Sequence, residues 1–408
     1  NFSKEKNITV LNPTYTRSED KTDINLSQKV VSLVHFGRSG TGLLHSLIDS
    51  HPEISTLPSI YLSEYYDQLI WEKITKNGWS FLIENFIQTY EVLFDSRSKI
   101  PIKSLEGRMI FNIGFKEGMT KLGKNKDEFL SIDKNQFREE LKYLLDNYKE
   151  INQISFFKLV HIAYEKTLNK SNHKKIIFYH IHNPDISSQL NFIQLDKKSN
   201  WIMMVRDPIQ SCESWLRYSF NQNNHQVCVL RIIKMLTEID NIIYKKNKSI
   251  GVRLEDLKNF PEKTISAICK WIGVQENENL YKMTMQGKKW WGDPTSPDYS
   301  IDGMKPFGNI SIKRNIGSIL SKNDQYILNT LFYPFSVRFG YIKENIEQFK
   351  SDLKTIKPKI EQIFDFEKAI LNRIDVDERM FLKSGPYNYF RSVLRDRWNI
   401  LNNFKTYP

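Results

Sequence analysis

The sequence, 408 residues long, is short of several things, and each shortage excludes something. No apolar run reaches the roughly 18–20 residues that a membrane-spanning helix needs, so no membrane span is expected. There are three cysteines, Cys212, Cys228 and Cys269. The count is odd and no spacing suits zinc, so buried free thiols and a reducing, cytoplasmic setting are the expectation. The opening NFSKEKNITV carries no secretory pattern. The chain has no internal repeat and no low-complexity tract, which sets solenoids and fibrous architectures aside.

What is present is the composition of a globular protein. Hydrophobic residues make up 40% and charged residues 26%, enough apolar side chains at this length for a large core. The net charge is +12 and the pI near 9.2, a balance that suits anionic partners. The lysines are spread out, often as Lys-Lys pairs between apolar positions. No basic stretch with interleaved aromatics stands out, so no nucleic-acid partner is expected. A small anionic ligand and a generally solvated surface both fit.

Residues 1–28 are polar and aperiodic and read as a flexible N-terminal arm. A strand from Lys29 ends at a glycine-rich turn, after which Leu43, Leu44, Leu47 and Ile48 recur at helical spacing. Helical patterns rich in aromatics cover 61–90 and 134–168 and read as a helical insertion over 61–170. Strand signals resume at KKIIFYHIHN (174–183), NWIMMVRDP (200–208) and IGVRLEDL (250–257). A helix should open at Asp207-Pro208, since aspartate is a good N-cap and proline is pre-set for the first helical position. Further helical stretches cover about 225–246 and 261–272. Strands alternating with helices predict an α/β fold over 29–342, a three-layer sandwich with a central, mostly parallel sheet. GKKWWGDPTSPDYSIDGMKPFGNI (287–310) reads as a long loop, functional or disordered, and 343–408 as a helical C-terminal extension.

The first glycine turn lies in HFGRSGTGLLHSLIDSHPEI, 35–54. Glycines let backbone N–H groups turn inward and the next helix presents its positive end, so strand–turn–helix makes an anion site. Ser39, Gly40, Thr41 and Gly42 supply N–H groups and two hydroxyls, and Arg38 stands at the mouth, where a planar cation neutralises a phosphate. A tight turn whose glycines serve packing alone is the other reading. A triphosphatase needs a lysine and a hydroxyl after the last glycine to reach the outer phosphates and Mg²⁺. Here that slot reads Gly42-Leu43-Leu44, and no clear acidic ligand follows a later strand. A magnesium-dependent ATPase or kinase is disfavoured and no metal is expected.

GRSGTGLLHSLIDSHPEI resembles the 5′-phosphosulfate loop of the sulfotransferase family, whose donor is 3′-phosphoadenosine 5′-phosphosulfate (PAPS). That loop runs Lys/Arg-Ser-Gly-Thr, followed in the tyrosylprotein and many bacterial members by His-Pro, here His51-Pro52. VRDPIQSCESW (205–215) resembles the 3′-phosphate motif, with Arg206 at a strand end and Ser214 eight positions on. The readings beside it are an ion pair of Arg206 with Asp207 or Glu213, and a surface serine. GVRLEDLKNFPEKTISAICKWIGV (251–274) resembles a recurring scaffold segment. IKRNIGSILSKNDQYILNTLFYPFSVRFGY (312–341) resembles the basic-glycine element that closes over the 3′-phosphate. Arg314 and Gly317 fit it, although the family's Arg-Lys-Gly is Arg-Asn-Ile-Gly here. The likeness covers about 29–60 and 174–341.

The resemblance implies sulfuryl transfer from PAPS, without a metal, to a hydroxyl or amine of a small molecule, a glycan or a lipid. It assigns the donor to Arg38, Ser39, Gly40, Thr41, Gly42, Leu43, Arg206, Ser214, Arg314 and Gly317, with Arg38 also stabilising the departing phosphate. The base it implies is His182 in YHIHNP, 24 residues before Arg206, with His180 where the cytosolic branch has lysine. Other branches use a carboxylate soon after the loop; Ser59 holds that offset here, and Glu64 is the nearest alternative base. His35, His45 and His51 read as structural. Trp290 and Trp291 are candidates to cover the donor or line the acceptor pocket, or serve packing. Tyr61, Tyr65, Tyr66, Phe156 and Phe157 either line that pocket or form the inner face of packed helices. The competing functions are a magnesium-dependent phosphoryl transferase and a non-catalytic nucleotide-binding scaffold.

Overall fold

The run KVVSLVH forms strand β1 (Lys29–His35), buried from Val30 onward, in a computed structural model that describes residues 15–16, 26, 28–58, 62, 64–104, 107–111, 113–148, 150–168, 174–181, 186–238, 248–294, 296, 299–308, 316–374 and 377–403. The other sheet strands are β2 (Ile54–Ser55), β3 (Ile176–His180), β4 (Asn200–Val205) and β5 (Ser249–Arg253). Their order is β2-β3-β1-β4-β5. The pairings β1–β3, β2–β3 and β4–β5 are parallel, with Leu33 opposite His180 and Val205 opposite Arg253. β3 and β4 are buried along their whole length, as strands covered on both faces must be, and so read as continuous apolar runs rather than alternating ones. The molecule is an α/β protein built on a mostly parallel central sheet with flanking helices. Strand order reverses at β1, whose carboxyl end carries the glycine turn.

Helix α1 (Thr41–Ile48) follows that turn. Helix α2 (Pro208–Asn221) starts at proline, and the Asp207 carboxylate accepts the Gln210 N–H. Helix α3 (His225–Glu238) comes next. The strand expected over 250–257 stops at Arg253, and Leu254–Asn259 is helical. Leu254 and Leu257 lie three apart and are both buried, and Glu255 and Asp256 suit the positive end of a first helical turn.

Two compact units divide the chain. One comprises Asn1–Leu33, Gly42–Asn200 and Cys269–Pro306. It holds the helices Gln68–Thr75, Leu82–Thr89, Lys134–Asp146 and Gln153–Thr167 and the hairpin Ile100–Ser104 with Gly107–Phe111. Phe157 lies 5.1–5.3 Å from Tyr65, Tyr66 and Tyr179 between ring centroids, and Phe156 packs on Trp71 and Phe86. These rings are fully buried. Of the two readings of Tyr65, Tyr66, Phe156 and Phe157, packed helices is the one observed; Tyr61 lies outside the described residues. Within the arm read as flexible, Tyr15–Thr16 pairs antiparallel with Glu150–Ile151; most of the rest of 1–28 lies outside the described residues.

The other unit comprises Val34–Thr41, Trp201–Ile268 and Phe307–Pro408. Its terminal part contains helices α4 (Asp365–Ile374) and α5 (Gly385–Asn403). The buried Glu367 of α4 meets His225 of α3 at 2.8 Å and Arg391 of α5. Cys212, Cys228 and Cys269 are free and buried, and burial pushes all three thiols up, Cys228 to about 12 and Cys269 to about 11. Among the described residues, no helix is long and apolar enough to cross a membrane.

Candidate functional site

The turn after β1 is fastened at Phe36 and Ser39. The Phe36 N–H donates to the Met204 carbonyl at 3.0 Å, extending a ladder onto β4. The Ser39 hydroxyl donates to the same carbonyl at 2.7 Å, and the Ser211 hydroxyl of α2 donates to the Phe36 carbonyl at 3.0 Å. Gly37 and Gly40 have φ of +58° and +83°, a region that costs residues with a Cβ. A Cβ on Gly37 would also stand 2.3 Å from Ser211 Oγ, and one on Gly40 2.7 Å from a Leu254 methyl. The two glycines are needed both for their backbone angle and for close approach. Ser39 differs from expectation: its hydroxyl proton is spent on Met204, so it can offer an anion only its backbone N–H. Thr41 opens α1, and Leu43 is buried, with its carbonyl accepting from Ser46.

Arg38 is half-buried at the turn. Burial lowers the pKa of Arg231 on α3, Cys228 offsets part of that, and the Arg38 charge adds a smaller lowering. Arg231 donates to the Trp215 carbonyl, and Arg231, Lys234 and His35 all stand about 6 Å from the Trp215 ring. Arg38 and Arg231 thus bring two guanidiniums near one another at the turn.

Arg206 follows β4 directly, and Ser214 lies within α2. Arg206 leaves the end of β4, is nearly buried, and donates to Gln210 Oε1 at 3.1 Å. The two carboxylates that the sequence places near it also bond to backbone N–H groups. Asp207 caps α2 through the Gln210 N–H at 2.9 Å, its pKa raised by burial and partly restored by that bond and by the Arg206 charge. Glu213 Oε1 accepts the N–H groups of Gly317, Ile319 and Leu320 at 2.8, 3.3 and 2.9 Å. The turn residues Arg38–Gly40, the pair Arg206 and Ser214, and Gly317 therefore all belong to one compact unit. Arg314 and His182 lie outside the described residues, as does Ser59.

The remaining candidates fall in the other unit. Glu64 is exposed, at a turn before Gln68–Thr75. His45 and His180 are buried, with ring centroids 5.3 Å apart. Burial holds His45 down near 4, Asp49 and the Leu57 carbonyl offsetting part of it. His161, near 3 for the same reason, meets Ser55 at 2.9 Å. His51 bonds the Gln275 carbonyl at 2.8 Å. Trp290 is buried and donates to the Glu117 carbonyl at 2.9 Å, while Trp291 donates to the Gly123 carbonyl at 2.8 Å. Both indoles thus pin the 287–310 loop to the 117–123 turns, which is the packing reading. Asp49 supports them, accepting from Gln286 and Gly287 N–H.

Sequence reasoning missed Ser211, Glu213 in its observed role, and Arg231. Ser211 had a usable signal, standing three residues before Ser214 and so on its helical face. Arg231 had none, being one cation among many.

No protein-family model and no curated protein matches the sequence. Among solved structures, the chain is similar to the sulfotransferase domain from the Synechococcus olefin synthase, at 14% identity and a TM-score of 0.42, over 78% of this chain and 98% of that one. It is similar to the sulfotransferase domain from the curacin biosynthetic pathway at 13% identity and a TM-score of 0.38, over 87% and 99%. A sulfotransferase from Mycobacterium avium follows at 12% identity and 0.31, over 62% and 66%. At these identities and TM-scores the functional reading rests on this chain's own residues.

Proposed function

We propose that the protein is a sulfotransferase that moves a sulfuryl group from PAPS to a hydroxyl or amine of an acceptor. The observation that supports this reading is that β4 links the glycine turn to the segment carrying Arg206 and Ser214. The same strand that fastens the Arg38–Gly40 turn, through Met204, delivers Arg206 to the helix carrying Ser214. A donor with phosphate at both its 5′ and 3′ positions needs two such sites, and a triphosphate-cleaving enzyme does not.

In that reading the turn N–H groups and the start of α1 hold the 5′-phosphosulfate, and Arg206 and Ser214 hold the 3′-phosphate, with Gly317 and Arg314 completing it. The acceptor oxygen or nitrogen attacks sulfur while the sulfur–oxygen bond to the 5′-phosphate breaks. The negative charge gathers on that phosphate, where Arg38 and the turn N–H groups absorb it. The acceptor proton passes to a base, His182, with Glu64 as the alternative. The donor set is cationic and N–H-rich, fitting an anionic nucleotide without a metal ligand shell.

A screen of hydroxylated and amine metabolites with sulfur-labelled PAPS tests it. Label should appear in at least one acceptor, and Arg38→Ala should reduce transfer ~100-fold or more while the fold persists. Undiminished transfer by that variant removes Arg38's role, and absence of both labelling and bisphosphate binding removes the function.

A further inference from the structure

We propose that Glu213 is a positioning residue for the 3′-phosphate side of the donor site: its buried carboxylate clasps the backbone of Gly317–Leu320 and holds that segment against the helical turn bearing Ser214. The proposal rests on the donor reading above.

Glu213 is 3% exposed, and a carboxylate so placed persists only where donors take up its charge. One oxygen, Oε1, receives the N–H groups of Gly317, Leu320 and Ile319 at 2.8, 2.9 and 3.3 Å. Gly317 has φ of +103°, so its N–H turns inward in a way few other residues allow. The segment is also held from its carbonyl side, where Gln325 Nε2 donates to the Leu320 carbonyl at 2.8 Å. Ile319 and Leu320 bury their side chains beside it.

The placement has two consequences for an anion at Ser214. A bare carboxylate one residue away would repel a phosphate dianion, and three N–H donors offset part of that repulsion. The segment carrying Gly317 is also ordered before the ligand arrives, so binding does not bear the cost of ordering it. Ser214 and Gly317 are thereby set on opposite ends of one short linkage, Ser214–Glu213–Gly317.

Calorimetric titration with adenosine 3′,5′-bisphosphate and with adenosine 5′-monophosphate tests this on the full chain. In Glu213→Ala, bisphosphate affinity should fall ~10-fold relative to the monophosphate. Glu213→Gln keeps an acceptor oxygen and should stay within ~3-fold of the unsubstituted chain. Hydrogen exchange at Gly317, Ile319 and Leu320 should accelerate in the alanine variant alone. If that variant does not fold, Glu213→Asp, which keeps the charge but cannot reach all three N–H groups, decides by the same affinity ratio. An unchanged ratio, or equal weakening of both nucleotides, overturns the role of Glu213 while leaving the donor reading in place. Failure of the unsubstituted chain to bind the bisphosphate overturns both.

Discussion

The Ser39 hydroxyl donates to the Met204 carbonyl at 2.7 Å, so the glycine turn is tied by a side chain to the strand that delivers Arg206. Ser39→Ala keeps the Phe36 N–H on that carbonyl but removes the hydroxyl donor and the longer 3.3 Å bond that the hydroxyl accepts from the Phe36 N–H. The expected cost is about 1 kcal/mol, a normal buried hydrogen bond, read as a lower urea midpoint with unchanged slope.

Glycine substitutions separate the turn's needs. Gly37→Ala and Gly40→Ala each force a Cβ into positive φ and into contact below 3 Å, and should destabilise by about 2–4 kcal/mol. Gly42 is helical, and its added Cβ would meet only the Trp290 ring at 3.7 Å. Gly42→Ala should therefore change stability by less than ~1 kcal/mol. Equal effects at all three positions in chemical denaturation would contradict the geometry.

Acid should weaken the fold in a definite window. His45 and His161 are held near 4 and 3 in the folded state by burial, against about 6.5 in the unfolded chain. As pH falls below 6.5 the unfolded chain takes up protons first, so this stability is complete above 6.5 and drains toward pH 4. Each imidazole contributes on the order of 1.4 kcal/mol per pH unit in that range. Asp324 is raised to about 6 by burial and works in the opposite sense, offsetting one imidazole in part. His161→Gln should flatten the melting-temperature profile between pH 4 and 6.5, and an unaltered profile would count against the burial argument.

The terminal helices are joined to α3 by a buried charge. Glu367, fully buried, meets His225 and Arg391 and accepts the Phe364 N–H at 2.8 Å. Glu367→Ala leaves the Arg391 guanidinium buried without that partner, at a cost of about 3–5 kcal/mol. The double variant Glu367→Leu with Arg391→Met should recover much of the loss, which a double-mutant cycle measures.

The sheet and its site were legible in the sequence to different degrees. β3 and β4 announce themselves as short, continuous apolar runs, and Asp207-Pro208 marks the start of α2 in the residues themselves. Leu254–Asn259 misled, because a Leu-x-x-Leu stripe of six residues is too short to tell helix from strand by period. The places of Arg38, Arg206 and Ser214 in the fold were legible because a glycine turn, a strand end and a proline-started helix each have a local signature. The commitments of Ser39 and Glu213 were not, since their partners, Met204 and Gly317–Leu320, are distant in sequence and set by tertiary packing. The tryptophans of the 287–310 loop show the same limit: the sequence places them in a loop, and only the fold reveals that Glu117 and Gly123 carbonyls receive them.

Nucleotide titration without added metal tests the proposed double anion site most directly. The account predicts that adenosine 3′,5′-bisphosphate binds at least ~10-fold more tightly than adenosine 5′-monophosphate, with the preference abolished in Arg206→Ala. Equal affinity for the two nucleotides, or binding that requires Mg²⁺ and favours ATP, would contradict it.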